Sequence, residues 1–69
     1  MKKKYFDVHV FYSRKDGFSV FIETFNTGEN EEEIIQEAVN QGYITLGDAK
    51  NVDYVEEITA DEYQEFKGI

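Results

Sequence analysis

The chain has 69 residues, with no Cys, Pro or Trp and a single His, which excludes a disulfide framework and zinc-finger ligand spacings and leaves apolar packing to hold one small domain, 1–69. Its net charge of −8 is unevenly placed: residues 1–28 carry five bases and three acids, and residues 29–69 carry two bases and twelve acids. An acidic field of this kind repels nucleic acid, attracts basic partners and, most commonly, keeps a protein soluble.

The basic start, Lys2, Lys3 and Lys4, is expected to be a flexible tail over residues 1–4. It is not the head of a secretory signal, because Asp7 and His9 interrupt the run that follows and no small-residue cleavage site comes after. No stretch approaches the roughly 18 apolar residues that span a bilayer. These features predict a cytoplasmic protein that does not engage membranes. Six Lys against one Arg, without Pro or Trp, is in keeping with an AT-rich genome of bacterial or phage type.

Residues Tyr5–Ser13 and Phe18–Phe25 alternate with period two and predict a β-hairpin. Phe6, Val8, Val10 and Tyr12 share a face, as do Phe18, Val20 and Ile22. A three-residue loop, Lys15-Asp16-Gly17, with Gly17 left-handed brings the two apolar faces together by setting Tyr12 opposite Val20 and Val10 opposite Ile22. That register places Phe11 opposite Phe21, His9 opposite Glu23 and Ser13 opposite Ser19 on the outer face.

Asn30 followed by Glu31, Glu32 and Glu33 predicts a helix N-cap with a capping-box Glu33, an apolar stripe of Ile34, Ile35, Ala38 and Val39, and a stop at Gly42. Residues 43–51 read either as a brief extended segment or as one helical turn capped by Thr45 with Asp48, and the turn is preferred. Val52–Ile58 predicts a third strand, with Val52, Tyr54 and Ile58 on one side, Val55 on the other, and edge charges at Glu56 and Glu57. Thr59 with Glu62 is a second capping box, opening a helix over Ala60–Lys67 that packs through Tyr63 and Phe66 and stops at Gly68.

Together these elements predict an α+β fold: a small ββαβα domain with a three-stranded antiparallel sheet of order 2-1-3 and two helices on one face. No enzyme is predicted. The nucleophile arrangements, Gly-rich phosphate loops and spaced metal ligands are missing, so no cofactor and no metal site is expected. His9 with Glu23 offers a proton-transfer pair, but a lone surface pair is more often structural. The expected partner is another protein or a second copy, bound through the outer aromatics Tyr5, Phe11, Phe21 and Phe25. The alternative is a nucleic-acid mimic of phage or mobile-element style, presenting carboxylates from Glu29, Glu31, Glu32, Glu33, Glu37, Glu56 and Glu57, with Asp53, Asp61, Glu62 and Glu65, to a phosphate-reading protein. Direct nucleic-acid binding is not expected, because the Lys run and Arg14-Lys15 lie at opposite ends of the hairpin.

Overall fold

A computed structural model describes residues 2–67. Strands β1 (Lys4–Ser13), β2 (Asp16–Thr24) and β3 (Val52–Ile58) form one sheet in the order β2-β1-β3 with antiparallel neighbours, accompanied by helices α1 (Glu31–Asn40), α2 (Leu46–Ala49) and α3 (Ala60–Lys67). This is the expected α+β sheet. The amino-terminal segment enters it at Lys4, and Lys3 and Lys4 reach Glu23 and Glu57 at 3.5 and 3.7 Å. The expected helix stop at Gly68 lies outside the described residues.

The hairpin turns earlier than its Asp-Gly signal suggests. Ser13 closes against Asp16 around Arg14 and Lys15, and the pairs below are Val10 with Phe18, Val8 with Val20 and Phe6 with Ile22. Gly17 lies within β2 opposite Phe11, without positive φ. The expected three-residue loop and its cross-strand pairs are therefore replaced. Pairing length is the reason, since the expected register would set Phe6 against Asn26 in the following loop, whereas this one uses β1 from Lys4 onward. A two-residue turn without positive φ mismatches the right-handed strand twist, and the irregularity at Tyr12, unpaired between Phe11 and Ser13, absorbs that mismatch. Tyr12 consequently leaves the core face and is largely exposed.

The core lies between the sheet and α1. Phe6, Val8, Val10 and Ile22 pack with Ile34 and Ala38 of α1 and with Ile44, while Val20, Val52 and Val55 border the cluster. Val52 and Val55 share this side, unlike the expected grouping of Val52 with Tyr54 and Ile58, because β3 carries an extra residue at Asp53. Asn30 caps α1 by accepting the Glu32 N–H at 2.9 Å, while the Glu33 N–H goes to the Asn30 carbonyl at 3.1 Å, so the expected capping box with Glu33 is replaced by a single side-chain cap. At the other end the Gly42 N–H reaches Val39 O and the Tyr43 N–H reaches Ala38 O, both at 3.0 Å, the paired bonds of a Schellman stop. Thr24, buried at the end of β2, donates to Glu37 and ties strand to helix.

The second long helix occupies the opposite face. Tyr63 and Phe66 of α3 pack on Tyr5 and Phe21, with ring centroids 4.7 and 4.6 Å apart, and those rings alternate with the core residues along their strands. The two helices thus sandwich the sheet and do not share one face. The cause is its outer-face chemistry: Tyr5 and Phe21 are apolar enough to hold a short helix, which cannot persist alone. The Thr59/Glu62 capping box aims α3, with both reciprocal bonds at 3.0 Å.

Gly28 closes the core from the β2–α1 loop with a φ of +82°. An added Cβ would stand 2.5 Å from Phe6 Cζ. Gly28→Ala is expected to cost about 1–3 kcal/mol through overpacking and backbone strain, read as a lower urea midpoint; an unchanged midpoint would refute this packing.

Candidate functional site

The outer face divides into a covered part and an open part. Under α3 lie Tyr5 and Phe21, and between them on β1 lies Asp7, whose Oδ1 is buried with no hydrogen-bond partner among the described residues. Asp7 also stands directly opposite Glu56 of β3. A buried unsatisfied oxygen and an opposed like charge both work against this packing.

Beyond the reach of α3, toward the hairpin turn, three strands contribute one side chain each. His9 of β1 stacks on Tyr54 of β3 with centroids 4.9 Å apart and planes at 14°, and its Nδ1 is 2.9 Å from Ser19 Oγ of β2. The Tyr54 phenol is held above its ordinary value first by partial burial and then by the charges of Asp7, Glu56 and Asp53. Phe11 continues the surface toward the turn. It is 46% exposed and Tyr54 41%, so the imidazole sits in an open aromatic strip.

The chain packs against no enclosed pocket, and no cluster of His, Cys, Asp or Glu suited to a metal occurs among the described residues. The Ser19–His9 contact brings a hydroxyl to an imidazole, the start of a nucleophile pair, but the imidazole's other neighbour is a stacked ring in place of an orienting carboxylate. The contact and the stacked ring together fix the imidazole in plane. No family model, curated protein or solved structure matches this chain. The site is therefore read from its geometry alone.

The expected site residues are now dispersed. Tyr5 and Phe21 are beneath α3, Phe11 is open, and Phe25 lies past the end of β2, 57% exposed with Lys3 Nζ 5.7 Å from its ring centre. Phe11 faces Gly17, not Phe21, and His9 faces Ser19, not Glu23, because the turn falls at Arg14-Lys15. Ser13 correspondingly faces Asp16 in place of Ser19. Glu23 instead pairs with Lys3. Among the acids, Glu31, Glu32 and Glu33 fill the first turn of α1, beyond the loop residue Glu29. Glu37 accepts from Thr24, and Glu57 pairs with Lys4 on the edge strand that also carries Glu56. Sequence reasoning missed Ser19 and Tyr54 as neighbours of His9; the signal lay in their outer-face parity, which only the register converts into contact.

At the turn end, the Tyr12 hydroxyl donates to Asp48, which also accepts from the Thr45 backbone. The Tyr12 bond, then the Thr45 N–H, holds the Asp48 carboxyl below its ordinary value. A depressed carboxylate favours the folded state above its unfolded pKa and loses that contribution as pH falls through the folded value. Tyr12→Phe should move the Asp48 titration midpoint upward in carbon-detected NMR, and a midpoint that stays put would remove the contact. Asp7→Val should raise folding stability by about 1 kcal/mol by deleting the orphaned oxygen, a gain visible as a higher denaturation midpoint; a loss there would mean that the carboxylate has an unseen partner.

Proposed function

We propose that this chain is a small cytoplasmic, non-enzymatic protein-interaction module that binds its partner through the open part of the outer sheet face. Phe11, His9 and Tyr54 form the contact strip, bordered by the Phe21–Phe66 stack. The observation that carries the reading is the solvent exposure of Phe11 and Tyr54 on a three-stranded surface whose Tyr5 and Phe21 are already covered by α3. Aromatic side chains fixed by strand geometry offer large contact area at small conformational cost.

The surroundings define the partner. Asp53 and Glu56 flank Tyr54 on β3, so a complementary surface presents an apolar side chain with basic neighbours facing that edge. Of the expected patch of Tyr5, Phe11, Phe21 and Phe25, Phe11 belongs to this strip, while Tyr5 and Phe21 support α3 from below and Phe25 lies past the end of β2.

Phe11→Ser combined with Tyr54→Ser should leave the fold intact and abolish partner recovery from the native host at low and high salt alike. Recovery that survives the double substitution, yet falls steeply with ionic strength, would instead support carboxylate mimicry of nucleic acid by the acidic surface.

A further inference from the structure

The two edges of the sheet are unequal. On β3, Asp53 forms an irregularity and Glu56 and Glu57 add charge, which are the ordinary devices that keep an edge strand from pairing. β2 has neither. Its run Gly17–Ile22 contains no charge, and Phe18 remains 39% exposed.

The backbone directions on β2 can be assigned. The Phe11 N–H bonds to Asn51 O on the β3 side, so by alternation Val10, Val8 and Phe6 direct their backbone groups toward β2. Their partners Phe18, Val20 and Ile22 point inward in return, which leaves Gly17, Ser19, Phe21 and Glu23 pointing off the sheet. The Glu23 carbonyl is already taken by the Gln41 side chain at 3.1 Å, which agrees with this assignment. Nearby, Lys67 of α3 bonds the Tyr43 hydroxyl at 2.8 Å. That contact joins elements on opposite faces and closes around the Glu23 end of β2. The open edge is thus Gly17–Phe21, whose midpoint is Ser19.

We propose that β2 pairs antiparallel with β2 of a second copy of this chain, about a twofold axis at Ser19, to make one continuous six-stranded sheet. In this register the Ser19 residues exchange backbone hydrogen bonds with each other, and Gly17 does so with the second copy's Phe21. Phe18 meets Val20 of the other copy on the core side. Beyond the paired stretch, the turn residue Lys15 of each copy lies on the side of the other's Glu23, whose carbonyl and carboxylate already meet Gln41 and Lys3, and no like charges are opposed. This self-matching of an open stretch centred on one residue, with opposite charges at its limits, identifies the occupant as a second copy. The outer edges of the pair are both β3, charged and irregular, so assembly stops at two. The association does not depend on the aromatic strip.

Sedimentation equilibrium over a range of protein and salt concentrations tests it. The mass should rise toward twice the monomer, and rise further with added salt, because screening relieves repulsion between copies of net charge −8. The Ser19 and Phe21 amides should become slow to exchange as the dimer fills. Ser19→Pro removes an outward N–H together with the hydroxyl that meets His9, and Phe18→Lys places a charge on the open edge without touching that contact; each should hold the mass at the monomer while the circular dichroism spectrum is retained. Should Ser19→Pro fail to fold, Phe18→Lys and the wild-type exchange data carry the test. A wild-type chain that stays monomeric throughout, or a dimer whose Ser19 and Phe21 amides remain fast, overturns the proposal.

Discussion

The middle strand is bonded on both sides, and the alternation of its backbone determines where the rest of the molecule can stand. Even-numbered residues of β1 place Phe6, Val8 and Val10 toward α1 and bond to β2. Odd-numbered residues place Tyr5, Asp7 and His9 toward the other face and bond to β3. One strand therefore supplies the core, the seat of α3 and the centre of the aromatic strip. The period of two leaves no residue of β1 free to change role without moving its neighbours. With eight apolar residues buried in the described part, the domain depends heavily on this economy.

Local chemistry was largely legible, Glu33 as a capping-box partner excepted, and long-range chemistry was not. The limits of β3 and α3 follow from sequence because the capping box of Thr59 and Glu62 acts within one turn. The same holds for Thr45 and Asp48, whose reciprocal bonds form α2, and for Asn30 and Gly42 at the ends of α1. The hairpin register is different. Sliding one strand by an even number of residues keeps both apolar faces matched, so face matching alone could not separate the observed pairing from one displaced by a four-residue difference. Turn position selected among them, and the Asp-Gly pair pointed to the wrong place because the irregularity at Tyr12 lets Arg14 and Lys15 turn the chain.

The placement of α3 was hidden for a related reason. The aromatic character of Tyr5 and Phe21 is the same whether the cover is an external partner or the chain itself, and here it is matched by aromatics from the chain's own last helix. An apolar outer face records that something covers it, without recording whether the cover comes from the same molecule. Phe11 and Phe25 keep exposed rings with no stacked partner from α3; Phe25 lies past the end of β2 beside Lys3, and Tyr54 joins Phe11 because strand order brings β3 beside β1.

The sandwich is lopsided, and its two halves should come apart in sequence. α1 buries Ile34 and Ala38 completely, whereas α3 buries none of its residues and rests on one stacked and one tilted ring pair, a capping box and Lys67. Its local opening free energy accordingly lies below that of the whole domain. A thermal melt followed by far-ultraviolet signal will report chiefly on the α1 half. Protease susceptibility near the carboxyl terminus will report on the α3 half, and the two measurements need not rank the same set of variants in the same order.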